Sequence, residues 1–360
     1  MTDILIKFLL AGGAILSAFG IAGLLTWVER KQSALMQDRI GANRAKIFGL
    51  KALGLFHAIA DVGKMLSKEE FMPAGANKFL FNLAPYLSVV FALVGFAAIP
   101  IGNQLIIGSR VIELQAANLN IALIYIFAMM SMGIYGVVIA GFSSNNNYAF
   151  LGGMRGAAQM IAYEITMGAA IMGVIMVYNT IDLQMLVRAQ GDYLMGGWLP
   201  KWGIFVQPLA FILFLTAATA ETKRTPFDLP EGESEIIGYF VEYSGMKFGM
   251  FFMADLIETV LVAALMTTLF FGGWQVAYLH PDGFHFPWGG QAALSNLAVT
   301  VFGVLAFFIK LSFFIWLLMA VRWTLPRFRY DQLMRLGWKI LLPASLVNIA
   351  LTAVVLILLR

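Results

Sequence analysis

Residues 221–243 read ETKRTPFDLPEGESEIIGYFVEY and lie between two strongly apolar segments. Six carboxylates (Glu221, Asp228, Glu231, Glu233, Glu235 and Glu242) stand against two cations, Lys223 and Arg224. The chain has 20 carboxylates in 360 residues, so nearly a third of its negative charge is gathered here. Pro226, Pro230 and Gly232 interrupt regular structure. Phe227, Leu229, Ile236, Ile237 and Phe240 are interleaved with the acids. A solvated tether does not need those apolar residues, although a soluble loop with one polar face is the plainer reading of the pattern.

Outward from this stretch the chain is 60% hydrophobic and 12% charged, against about 25% charged in an ordinary soluble domain. The apolar residues come in runs long enough to cross a bilayer core of about 30 Å. At such lengths a spanning segment satisfies its backbone internally, as a helix. The expected fold is therefore an all-α polytopic membrane protein, one transmembrane domain over 1–360. Eight spans are predicted: Ile4–Val28, Phe79–Ile101, Leu119–Phe142, Ala157–Tyr178, Phe205–Ala220, Gly245–Gly272, Ala292–Val321 and Trp338–Leu359. The first is too long for the core of a cleavable signal peptide and is expected to remain as a helix.

Lysine and arginine orient the spans. The loops after spans 1, 3, 5 and 7 hold 16 of them and the opposite side 5. The positive-inside rule then puts the odd-numbered loops, including 221–243, in the cytoplasm and both termini outside. In the first cytoplasmic loop, 30–78, Leu55, Ile59, Val62 and Leu66 fall on one helical face. His57, Asp61, Lys64 and Lys68 fall on the other. That is the pattern of an amphipathic helix lying in the membrane interface. Anchoring to anionic lipid would account for the nearby basic residues equally well.

The chain has no cysteine, which excludes disulfides and iron–sulfur ligation by this chain. Its three histidines lack a third ligand at useful spacing, so no metal site is expected. Any electrons must come from another subunit. The net charge of +4 reflects membrane topology, not nucleic-acid binding.

Of the ionisable residues inside the spans four matter most: Glu164, Asp255, Glu258 and Lys310. Buried charge in a membrane is costly and marks function by default. At about 1.5 Å per residue, they lie roughly 10, 15, 20 and 17 Å from the cytoplasmic ends of their helices. Asp255 and Glu258 are spaced to share a helix face. The four are expected to form a ladder toward the midplane that relays charge or protons. Alternatively Lys310 pairs with Glu258 or Asp255 and only locks helices together.

The stretch 221–243 with its continuation SGMKFGMFFMAD resembles the signature of the H subunit of bacterial NADH:quinone oxidoreductase, the counterpart of subunit 1 of mitochondrial respiratory complex I. Further matching stretches are Glu29-Arg30-Lys31 with Gln37, Arg39 and Gly41; Ala60-Asp61; Leu83-Ala84-Pro85; residues 155–164 (RGAAQMIAYE); and residues 326–334 (PRFRYDQLM) followed by Gly337-Trp338-Lys339. The resemblance covers nearly the whole chain. It implies a respiratory-chain subunit of the cell inner membrane that forms the membrane end of a quinone channel and couples quinone reduction to proton translocation. It also implies that quinone is the substrate, that this chain binds no cofactor, and that NADH, FMN and iron–sulfur clusters belong to partner subunits. Peripheral-arm quinone-site subunits, small membrane subunits and lipid are the implied partners.

By the same resemblance Arg30, Arg39, Asp61 and Arg155 surround the channel. Glu221, Asp228, Glu231, Glu233 and Glu235 link quinone chemistry to proton movement, with Glu242 at the inner end of the loop. Glu164, Asp255 and Lys310 continue inward. No residue of this chain is implied to be catalytic. The chain departs from the pattern at Gly41-Ala42-Asn43, at His57-Ala58, at Lys223 where asparagine is common, and at Asp255 where glutamate is common; none of these removes a charge. Residues 280–291 match nothing specific. Other readings are the homologous subunit of a hydrogenase-type or other-donor complex, a secondary transporter, or a structural anchor. No pair of matching interrupted helices supports a transporter, and an anchor does not need the buried charges.

Overall fold

The structure is a computed structural model that describes residues 2–107, 110–194, 197–230, 232 and 236–358. Among these the elements run α1 (Thr2–Met36), α2 (Phe56–Ser67), α3 (Lys78–Val94), hairpin β1–β2 (Gln104–Ile107, Arg110–Glu113), α4 (Ala122–Ser143), α5 (Asn147–Tyr178) and α6 (Leu183–Ala189). They continue with β3 and β4 (Tyr193–Leu194, Leu199–Pro200), α7 (Gly203–Val206), α8 (Pro208–Glu221), α9 (Gly245–Phe270), β5–β7 (Leu279–His280, Gly283–His285, Gln291–Ala293), α10 (Asn296–Thr324), α11 (Tyr330–Arg335) and α12 (Leu342–Leu358). All strand pairs are antiparallel and confined to connections.

Among the described residues seven helical segments are long and apolar enough to cross a membrane, and the chain is a multi-pass membrane protein. The sequence predicts eight spans. The fifth is the short apolar helix α8. Pro208, at its first position, has no amide hydrogen to continue α7, so a new helix starts there. Its 14 residues reach about 21 Å, less than a full bilayer core. Two other boundaries move. Helix α1 runs on to Met36, so Glu29 and Arg30 are helical. Helix α5 begins ten residues before the expected Ala157, where the Asn146 side chain accepts from the Tyr148 amide at 2.9 Å.

Helix α9 is the axis of the bundle. Every residue from Ala254 to Phe270 is buried, and α1, α3 and α10 pack around it. A helix apolar on all sides belongs in such a place. Helices α4, α8 and α12 surround α5 in the same way. The connections separate the two ends of the bundle. One end, here the acidic end, gathers residues 37–77, 222–230, 236–244 and 325–329; Ser244 Oγ donates to the Glu69 carbonyl and Asn146 to Glu242 there. The other, the strand end, gathers β1–β7.

Helix α2 has the amphipathic pattern read from the sequence, and its apolar stripe is exposed: Ile59, Val62 and Leu66 are each more than half accessible. Between α11 and α12, residues Leu336–Leu341 form a π turn, one residue wider than an α turn. Just before it, the Leu333 carbonyl accepts the Tyr163 hydroxyl of α5 at 2.9 Å.

Candidate functional site

The stretch 221–243 is largely an inward-packed cover. In it Glu221, Lys223, Arg224, Asp228, Phe227, Leu229, Tyr239 and Tyr243 are buried. Gln159 of α5 holds it from below: its amide donates to the carbonyls of Ala220 and Phe227 at 2.6 and 2.7 Å. The Phe227 ring stacks on Phe328. Gly152 of α5 lies where any Cβ would come within 2.7 Å of the Ile237 carbonyl, so the backbones touch there.

Beneath this cover the charges form a cluster. Lys223 follows the last turn of α8 in the left-handed conformation, φ +54°, where a side chain costs roughly 1–2 kcal/mol. That backbone turn aims its ammonium at α9, 2.8 Å from Asp255 and 3.2 Å from Glu258. Burial opposes the charge on Lys223, but the two carboxylates outweigh it and hold the ammonium well above its ordinary pKa. Glu221, fully buried, has neither carboxylate oxygen hydrogen-bonded among the described residues, and its charged surroundings are Glu258, Glu164 and Lys223. Glu164 accepts from the Ser131 hydroxyl of α4.

A second group of charges borders the first. Asp228 meets Arg327 at 2.6 Å. Burial raises the Asp228 carboxyl above its usual range despite that guanidinium. Glu29 of α1 receives Arg322 of α10 and stands 3.9 Å from Arg224. Arg30 reaches Asp61 of α2 at 2.6 Å, tying α1 to the amphipathic helix. Arg39 is exposed and bonds Gln37 at 2.7 Å. Arg155 lies over the Tyr330 ring at 5.3 Å. Glu242 accepts from Asn146 at 2.6 Å.

The structure thus brings together Glu164, Glu221, Asp255 and Glu258. Glu231, Glu233 and Glu235 lie outside the described residues. Lys310 is elsewhere. Its ammonium bonds the carbonyls of Phe271, Gly273 and Gln275 at 2.7, 3.1 and 2.5 Å, at the far end of α9 and roughly 20 Å along that helix from Glu258. It therefore pairs with neither Glu258 nor Asp255, in contrast to the helix-lock reading; the cation in that place is Lys223. Sequence reasoning also missed Glu29, Arg224, Arg322 and Arg327 as parts of the cluster. The one signal for them is a carboxylate or guanidinium at the rim of an apolar run, as at Glu29 and Arg322.

Among the described residues no group of three or more potential ligands is arranged to hold a metal ion. Residues 10–353 match the NADH dehydrogenase family. An H subunit of NADH-quinone oxidoreductase from Cytophaga hutchinsonii is 43% identical over 97% of this chain and 98% of its own length. The H subunit from Thermomicrobium roseum is 43% identical over 98% and 96%, and that from Bdellovibrio bacteriovorus 40% identical over 92% and 91%.

Proposed function

The chain belongs to the NADH dehydrogenase family, and from that premise we propose that it is the membrane subunit of an NADH-quinone oxidoreductase that forms the membrane end of the quinone channel and couples quinone reduction to proton movement. It has no cysteine for an iron–sulfur cluster, so electrons reach quinone from centres in partner subunits, with NADH and flavin bound further away. The subunit sits in the cell inner membrane with its acidic end toward the cytoplasm and its termini outside, as the distribution of Lys and Arg favours.

The observation that carries this reading is the buried cluster under 221–243. The Glu221 carboxylate has no hydrogen-bond partner among the described residues and lies among Glu164, Glu258 and Lys223. A carboxyl so placed takes up or gives a proton whenever a neighbouring charge changes. Arg30, Asp61, Arg39 and Arg155 lie at the same end of the bundle and form the surroundings of the quinone headgroup, the positions where it leaves lipid. Asp228, Glu231, Glu233, Glu235 and Glu242 carry the charge change inward from quinone, through Glu221, to Glu164, Asp255 and Glu258.

The test is Glu221→Gln in the assembled complex. NADH oxidation by a soluble artificial acceptor should persist, because that reaction does not use this subunit. Quinone-linked turnover and proton pumping should fall together. Normal turnover and pumping in a fully assembled Glu221→Gln complex would remove the cluster from the coupling path.

A further inference from the structure

Lys310 is a buried ammonium for which the carboxylate cluster has no use. All three of its N–H donors are taken by the carbonyls of Phe271, Gly273 and Gln275. These carbonyls belong to the turn that follows α9. Gly272 and Gly273, both at positive φ (+69° and +54°), turn the chain so that the three oxygens converge. The ammonium also stands over the Trp202 ring at 4.4 Å. Among the described residues no carboxylate forms an ion pair with it. Its charge is met by backbone carbonyl dipoles and the face of the Trp202 ring.

The two directions away from this amine differ. Toward the acidic end, α9 offers first Thr268 and Thr267, whose hydroxyls donate to the carbonyls of Ala264 and Ala263, and then Val260 to Met266, all apolar and buried. No titratable side chain stands on α9 between Phe270 and Glu258. Toward the strand end lies a cavity of about 530 Å³ whose wall includes Trp202 and Gln275, two of the four residues that touch the ammonium, together with Trp274. The titratable and charged groups around the cavity are Arg188, Asp192, Tyr193 and His280. A polar space of that size holds water. The wall's Trp274 indole N–H has no acceptor among the described residues.

We propose that the Lys310 amine exchanges its proton with the aqueous phase at the strand end, through this cavity, as a station separate from the carboxylate cluster. In the exchange one N–H bond breaks, the proton passes to a cavity water to give hydronium, and the nitrogen keeps the electron pair as a neutral amine. Water then donates to the carbonyl that the ammonium has released. Trp202 and Gln275 are the partition between amine and water. This rests on the proposed function only for the use of the proton in turnover; access itself is independent of turnover.

The test uses the unmodified complex in sealed vesicles of both orientations. A membrane-impermeant acylating reagent, sulfosuccinimidyl acetate, is applied from outside and the acetylated lysines are read by peptide mass. Acylation proceeds only through the neutral amine, so label on Lys310 reports proton loss as well as access. Lys310 should acquire label from the side that labels Lys201, at the strand end, and not from the side that labels Lys64 on α2. Asn103→Trp, which fills the cavity from a wall position, should remove most of the label at Lys310 and spare Lys201. Lys310 left unlabelled where Lys201 is labelled, or labelled from the Lys64 side, overturns the proposal even if the Asn103→Trp complex does not assemble. So does full labelling in an assembled Asn103→Trp complex. None of these results bears on Glu221, and a failed Glu221→Gln test leaves the cavity's role intact.

Discussion

The two ends of α9 answer buried charge in different ways. At the acidic end Asp255 and Glu258 face the ammonium of Lys223, a side chain from another segment, with a further carboxyl at Glu221. At the strand end Lys310 faces main-chain carbonyls and the Trp202 ring, and no carboxylate among the described residues. Side-chain charges can be gained or lost, and each loss changes the pKa of the neighbours. Main-chain dipoles cannot titrate. The first arrangement therefore passes a change in charge from one group to the next, and the second confines it to one amine and whatever water reaches it.

The largest effect expected from this contrast is that of Lys223→Met. It leaves Asp255 and Glu258 buried without their cation, a loss of about 3–5 kcal/mol when a buried pair is broken from one side. Thermal unfolding and yield of the complex measure it. The double variant Lys223→Met with Asp255→Asn should recover part of the loss, because one orphaned charge is gone. A Lys223→Met complex as stable as the original would mean that the cluster is not held by counter-charge at all.

A smaller effect is expected of Lys310→Met, which keeps the bulk of the side chain but frees three carbonyls. The loss is about 1–3 kcal/mol, since unpaired buried acceptors are costly but water from the cavity can replace the donors. The informative readout is the number of protons pumped per quinone reduced. A fall in that ratio makes the amine a participant; an unchanged ratio in a less stable complex makes it a helix cap only.

The smallest effect, less than about 1 kcal/mol, is expected of Asp228→Asn, and its sign depends on pH. Burial puts the native Asp228 pKa above its unfolded value in spite of Arg327. Such an acid contributes most stability below the unfolded pKa, about 3.9, and loses it as pH rises through the raised native one. Asparagine removes that dependence. Melting curves of the variant should be equal or slightly higher at neutral pH and relatively lower in acid. The reverse order would mean that Arg327 outweighs burial and that Asp228 behaves like the charges around Lys223.

Much of this is legible in the sequence. Long apolar runs specify the bundle, and Glu164, Asp255 and Glu258 stand out because nothing apolar needs a carboxylate. Pairing is harder to read. Glu29 and Arg322 are 293 positions apart, and each alone looks like an ordinary span end. Lys223 looks like a loop cation because its burial depends on a left-handed turn at the end of α8, a conformation that a lysine does not advertise. Lys310 invites assignment to the carboxylates because a cation's partners are sought among acids. Main-chain carbonyls as partners leave no trace in residue types.

The π turn at Leu336–Leu341 has a consequence for the segment before it. One surplus residue in a helix rotates everything upstream by about 100° relative to everything downstream. Here it sets the angular phase between α12 and α11. That phase turns Tyr330, the first residue of α11, toward Arg155. Deleting any one residue from 336–341 would restore a regular helix and swing Tyr330 away from its partner, although that contact lies outside the deletion. Replacing a side chain in the same turn would leave the phase unchanged. In this part of the chain the number of residues carries more of the design than their identity.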